Sequence, residues 1–355
     1  MRKIILSLLL IPLTLGCQGD RLALKTKVET RLDATPVNPS AGPVKPVVVQ
    51  PGPEHGIFTK VCAERCTPSV AVVDVDGLLL NTPFVGPLSV GENPVALFRE
   101  KLDAAAADKR VKAVVLRINS HGGGVAACIS MRHDLERFKQ CTHLPVIACL
   151  MDTAAGGAYY LASGADQVVA GPATVTGGIG VIINLFNLRD LMAQFNVIPQ
   201  SVKTGEFTDI GTSARALTEG EKKLLQAMTD EFHAQIVSDI KAARPTAGAT
   251  AFDGRIFTGV QAQAAGLVDT VGDLDEAILM AAKAGCVRGD VCCKPAVVMF
   301  RRNNDPARSV YSVTANIPLQ GAGLLPNLPG IDRSKMPTFL SMWQPELTME
   351  KLGGK

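Results

Sequence analysis

Three short runs of nearly unbroken apolar residues, SVAVVDVDG (69–77), VKAVVLRIN (111–119) and PVIACLM (145–151), constrain the fold of this 355-residue chain more than any other feature. Short apolar runs rich in β-branched residues predict strands covered on both faces. Between them lie segments with helical spacing, NPVALFREKLDAAAAD (93–108) and VAACISMRHDLERFKQC (125–141). Parallel neighbours need a crossover, and a helix in each connection supplies one. The order strand, helix, strand, helix therefore predicts an α/β fold, a mainly parallel sheet with helices on both sides. A composition of 47% hydrophobic and 19% charged residues supports a substantial core and excludes global disorder. The formal net charge of +3 includes Arg2 and Lys3, and aromatics make up 5%, so nucleic acid is not an implied partner.

Farther along, TGGIGVIIN (176–184) and VIPQSV (197–202) read as strands, 187–195 as a helix, and KTGEFTDIGTSARA (203–216) as a loop. Residues 217–244 form the strongest helix signal, opened by Thr218 with Glu221 three positions later, a capping box. GVQAQAAG and LDEAILMAAKAG add two helices, after which residues 286–355 receive no role.

The amino-terminal segment MRKIILSLLLIPLTLGCQGD has a basic start, an apolar stretch from Ile4 to Gly16, and then Cys17. This predicts an export signal over residues 1–17. As a helix the apolar stretch rises about 20 Å, short of the roughly 30 Å hydrocarbon core. The Gly16-Cys17 junction resembles a bacterial lipoprotein signal, with Thr14 departing from that pattern, so lipidation at Cys17 and a place in the cell envelope are expected. Residues 18–68, with prolines at 36, 39, 43, 46, 51 and 53, predict an extended tether. In an exported protein Cys62, Cys66, Cys286, Cys292 and Cys293 are candidates for disulfides. Cys128, Cys141 and Cys149 read as small core residues, and no cysteine spacing predicts a metal site.

Four blocks in order, VVLRINSHGGG (114–124), PVIACLMDTAAGGAYYLASGADQVVAGPATVTGGIGVI (145–182), KTGEFTDIGTSARALTEGE (203–221) and DGRIFTGVQAQAAGLVDTVGDLDEAI (253–278), resemble the signal peptide peptidase A (SppA) family of serine peptidases. The resemblance spans about residues 69–285 and implies a ClpP/crotonase-like fold in a membrane-associated ring of subunits. It also implies a serine nucleophile and a lysine base that cleave leftover signal peptides. Acyl transfer needs a nucleophile, an amine able to take its proton, and N–H donors for the oxyanion. On this chain the family's nucleophile position falls on Gly156 and its base position on Thr208, neither of which can do that chemistry. The oxyanion donors map to Gly122, Gly123 and Gly157, and His121 stands where the family has proline. Thr153, Ser163 and Ser120 are the nearby hydroxyls and Lys203 the nearby amine.

The expected protein is an exported, membrane-anchored, catalytically inactive relative of these peptidases, without a cofactor. Its old cleft would take extended peptides or signal-peptide remnants by strand addition, in a homo-oligomer or a hetero-ring with an active paralogue. The alternatives are an active serine endopeptidase with a relocated nucleophile and an acyl-CoA enzyme that uses only the oxyanion hole, against which export argues.

Overall fold

A computed structural model of the chain describes residues 43–50, 69–83, 85–86, 89–90, 92–285, 295–302, 307, 309–312 and 339–343. The three apolar runs become β2 (Ser69–Leu79), β5 (Val111–Gly124) and β6 (Val146–Ala155), with the minor pair β3 (Val85–Gly86) and β4 (Ser89–Val90) after β2. The intervening helices are α1 (Pro94–Ala107) and α2 (Val125–Thr142). Asn93 starts α1 by accepting from the Val95 and Ala96 N–H groups, with Pro94 supplying a fixed φ in the first turn. After β6 come α3 (Gly157–Ala162), β7 (Gln167–Ala170) and β8 (Val175–Gly177), then α4 (Arg189–Gln194) and α5 (Glu219–Ala243). A short 3-10 helix (Ala249–Phe252), β9 (Ile256–Thr258), α6 (Gly259–Ala264), β10 (Thr270–Val271), α7 (Leu274–Gly285), β11 (Ala296–Arg301) and β12 (Leu340–Met342) follow.

The main sheet runs β1 (Lys45–Gln50), β11, β2, β5, β6, β7, β10. All neighbours from β11 to β10 are parallel, and β1 closes one edge antiparallel. Strand alternation sorts the core into two layers. Ala71, Val73, Val114, Leu116, Val146 and Ala148 share a buried cluster with Phe98 and Leu102 of α1, Met131 and Leu135 of α2, all of α3 from Ala158, and Ile236 and Ile240 of α5. Val70, Val72, Ala113, Val115, Ile147 and Cys149 pack instead with Leu274, Ala277, Ile278 and Ala281 of α7. Helices therefore cover both faces, and the fold is α/β as expected. The capping box of α5 forms in full, with both the Thr218 and Glu221 bonds present.

The sheet reaches beyond 69–285 on both sides. Residues 45–50, assigned above to the tether, are an edge strand, which tolerates the missing N–H of Pro46. Residues 296–301 and 340–342, which had no role, also join the sheet. VIPQSV is not a strand: it has no pairing neighbour among the described residues, and Val197, Ile198 and Val202 are exposed. Only Thr176 and Gly177 of TGGIGVIIN belong to a strand, the end of β8, because Gly177 and Gly178 have φ of +87° and +60° and turn the chain away. Cys128 and Cys149 are buried, and burial pushes both thiols up to about 12, whereas Cys141 is exposed. Cys17, Cys62, Cys66, Cys286, Cys292 and Cys293 lie outside the described residues.

Candidate active-site cleft

The expected site lies where β5 and β6 end. β6 stops at Ala155, and Gly156, with φ 56° and ψ −122°, turns the chain straight into α3. A sharp strand-to-helix turn of this kind lifts a nucleophile above the sheet in α/β hydrolases. The Gly156 N–H donates to the Gly177 carbonyl at 2.8 Å, which locks the turn against the end of β8. Behind it α3 is wholly buried, and its two tyrosines are tied down. The Tyr159 hydroxyl donates to the Leu267 carbonyl at 2.7 Å, and that of Tyr160 to Asp239 at 2.8 Å.

β5 continues as strand through Ser120 to Gly124, past the end expected at 119. The glycines permit this by close approach: a β-carbon on Gly123 would stand 2.0 Å from the Leu79 carbonyl oxygen. One on Gly122, which has φ +101°, would stand 2.9 Å from the Gly157 nitrogen. The structure therefore brings Gly122 and Gly157 together. The Gly122 N–H, however, donates to Ser120 Oγ at 3.0 Å, so that donor is engaged within the loop. Gly123 lies between Leu79 of β2 and Ser341 of β12. Cys128 also lies here, with its sulfur 2.2 Å from where a Gly157 β-carbon would be. Its apolar neighbours in the sequence marked it as core and gave no sign of this contact.

The side chains of Ser120, Ser163, Thr208 and Lys203 are engaged elsewhere. Ser120 is fully buried and donates its hydroxyl proton to the Gly77 carbonyl at 2.5 Å. Ser163 is also fully buried, donating to the Tyr160 carbonyl at 2.8 Å and accepting from Arg132 at 2.6 Å. Thr153 sits in the pairing of β6 with β8, its N–H held by Asn119 at 3.2 Å. Thr208 lies in an exposed loop, where its hydroxyl donates to the Thr204 carbonyl. Lys203 is ion-paired with Asp209, which Arg215 also holds at 2.8 Å while reaching Glu221 at 2.5 Å. No described hydrogen bond or ion pair joins this loop to Gly156.

A buried lysine does exist, but it is structural. Lys101 of α1 is bonded to Asp74 of β2 at 2.7 Å, and Arg117 of β5 bonds Asp76 at 3.0 Å. Burial opposes ionisation of Asp74, yet the Lys101, Arg301 and Arg117 charges hold its carboxyl well below the usual range. Burial pushes Asp76 up to about 6 against the pull of Arg117, with Asp74 adding to the rise.

The feature that the sequence reading missed is β12. It pairs antiparallel with the glycine end of β5, Leu340 opposite Gly124, Ser341 opposite Gly123 and Met342 opposite Gly122. On its other side Leu340 exchanges both backbone bonds with Ile182, at 2.8 and 3.0 Å. The chain's own segment thus fills the cleft beside Gly156. A cavity of about 650 Å³ lies instead between α2, α3 and α5, lined by Arg132, Glu136, Lys139, Tyr160 and Asp239. Among the described residues no group of three or more His, Cys, Asp or Glu side chains is placed to hold a metal, and no helix is long and apolar enough to cross a membrane.

Residues 139–288 match the model of peptidase family S49. The domain is SppA-like. It is 29% identical over 212 residues to an SppA homologue of Enterococcus faecium, covering 59% of this chain and 61% of that one. Protease 4 of Salmonella typhi is 29% identical over 218 residues, covering 61% of this chain and 34% of its own length. The chloroplastic serine protease SPPA of Arabidopsis thaliana is 30% identical over 203 residues, 55% of this chain and 30% of the plant protein. This chain thus spans less than two thirds of these curated relatives. Among solved structures, a serine-to-alanine mutant of the 1510-N membrane-bound stomatin-specific protease aligns with a TM-score of 0.42 at 17% identity, over 66% of this chain and 98% of that one.

Proposed function

We propose that this SppA-like domain is catalytically silent and binds extended peptides or signal-peptide remnants in the cleft above Gly156. The observation that carries the reading is the residue at the strand-to-helix turn. Gly156 has the backbone of a nucleophile turn and no atom that can attack. Two of the nearest hydroxyls, on Ser120 and Ser163, are buried and engaged with backbone carbonyls, which argues against a relocated nucleophile. Export and lipidation at Cys17 would hold the domain at a membrane in the cell envelope. Assembly as a homo-oligomer, or as a hetero-ring with an active paralogue, would place the silent cleft beside working ones.

The test is labelling by a serine-reactive fluorophosphonate together with hydrolysis of a casein substrate. The native protein is expected to give neither. A labelled residue in the cleft of the native protein would falsify the reading.

A further inference from the structure

The cavity of about 650 Å³ behind α3 follows from the residues that face it. Ile129, Arg132, Glu136 and Lys139 recur at three- and four-residue spacing, so α2 turns one face toward it. From α5 it is lined by Asp239, Ala242 and Ala243, and the two alanines are too small to close the gap between the helices. A volume in this range is that of a small-molecule site rather than of a packing defect.

Its floor is built around Arg132. That side chain is 6% exposed and crosses Gly164, where a β-carbon would stand 2.9 Å from both its Cδ and its Nε. Nε donates to Glu136 at 2.7 Å, and Nη1 to the Tyr160 carbonyl at 2.8 Å and to Ser163 Oγ at 2.6 Å. Nη2 makes no hydrogen bond among the described residues and keeps contact with the open space of the cavity.

The charges around the cavity pair off, with one exception. Arg132 is matched by Glu136 and Lys139 by Asp166, at 2.7 Å each. Asp239 receives only neutral donors, the Tyr160 hydroxyl at 2.8 Å and Gln235 Nε2 at 2.9 Å, and no described cation pairs with it. His133 also lines the cavity, as an exposed residue of α2. A half-buried carboxylate without a counter-charge attracts one from a ligand. Tyr160 brings the two open groups together: the Arg132 guanidinium carbon lies 5.1 Å from its ring centroid, and Asp239 sits on its hydroxyl. Both groups are thus fixed on one aromatic side chain, close enough for one small molecule to span them.

We infer that this cavity binds a small aliphatic zwitterion, a free amino acid of the leucine type. Its ammonium meets Asp239, its carboxylate takes the open Arg132 Nη2, and its side chain lies against Ile129, Ala242 and Ala243. A ligand with only one of the two charges leaves the other group unanswered. The site lies behind α3, away from the glycines of the cleft, and does not depend on whether the cleft takes peptides.

Calorimetric titration of the full chain with L-leucine tests the assignment, alongside isoamylamine, which lacks the carboxylate, and isocaproate, which lacks the ammonium. Leucine is expected to bind with a Kd below about 1 mM, and each analogue at least about tenfold more weakly for want of one charge-assisted bond. Asp239→Asn keeps an acceptor for Tyr160 and is expected to weaken leucine at least about tenfold while leaving isocaproate unchanged. Ala243→Leu fills the space, keeps every charge and should abolish binding of all three; melting curves establish that both variants are folded. No binding of leucine up to about 10 mM overturns the proposal, as does equal affinity for leucine and either analogue on the native protein. Leucine binding that survives both substitutions in folded variants puts the ligand elsewhere and overturns it as well.

Discussion

The carbonyl oxygen of Ser341 stands 2.7 Å from the point that a β-carbon on Gly156 would occupy, and the Met342 Cα is equally near. The bare turn and the seated tail therefore depend on each other. A side chain at 156 meets two obstacles: its own φ of +56° and the backbone of β12. Gly156→Ser is expected to destabilise the full chain by about 2–4 kcal/mol, the strained backbone contributing about 1–3 of this. In the chain ending at Thr338 only the backbone part should remain. Urea unfolding of the four proteins of this cycle measures the difference, and equal penalties in both backgrounds would show that the contact with β12 is not tight.

The enclosed Ser341 hydroxyl makes the opposite prediction. Its Oγ lacks a partner among the described residues, so Ser341→Ala removes a desolvated polar atom and keeps the small volume. The variant should gain about 1 kcal/mol, which is about 2–4 °C in Tm for a domain of this size. Amide exchange across Leu340 to Met342 should slow in parallel. A lower Tm would mean that the hydroxyl has a partner in solution.

Much of this fold could be read from residues alone, and the exceptions share one cause. The buried strands, α1, α2 and the capping box of α5 all announce themselves through periodicity or local capping, which act within a few residues. Gly156, Gly122 and Gly157 were singled out by the resemblance, and glycines at such turns carry their own backbone demands. What could not be read depends on distant partners. Residues 340–342 carry no strand signal of their own and become one only by lying between Gly122–Gly124 and Ile182. VIPQSV shows the converse: its apolar letters suggest a strand, but a strand needs a neighbour and this chain offers none described. Cys128 looked like ordinary core because contact with Gly157 leaves no trace in spacing.

The buried charges near the cleft predict how stability varies with pH. Asp76 has its carboxyl raised to about 6 in the folded protein, above the 3.8 of an unperturbed aspartate. The folded state therefore favours the protonated form, and that contribution is present below the unfolded value and is lost as pH rises through the folded one. Asp76→Asn keeps an acceptor for Arg117 and cannot ionise. Its stability relative to the native protein should rise by about 1–3 kcal/mol between about pH 3.5 and about pH 7. Thermal melts across that range decide the matter, and a difference that stays flat with pH would show that Asp76 titrates normally.

The exposed apolar residues in and around α4 and in the segment that follows it predict self-association. Phe195 is 73% exposed, Ile198 72% and Val202 103%, with Phe186, Leu191 and Phe207 also on the surface. Isolated apolar side chains at a surface are ordinary, but several of them close together in one segment make a surface suited to a partner. Burial of each such side chain stabilises by about 1.5–3 kcal/mol, so a contact using several of them can hold subunits together without further polar bonds. Light scattering at micromolar concentration is expected to report an oligomer. Ile198→Asp with Val202→Asp places two charges in that contact and should weaken it by at least about 100-fold, equivalent to about 3 kcal/mol, while leaving the melting of the core unchanged. A native protein that stays monomeric at about 50 μM, where a contact of this size would be saturated, shows that the loop is covered by something other than a second copy.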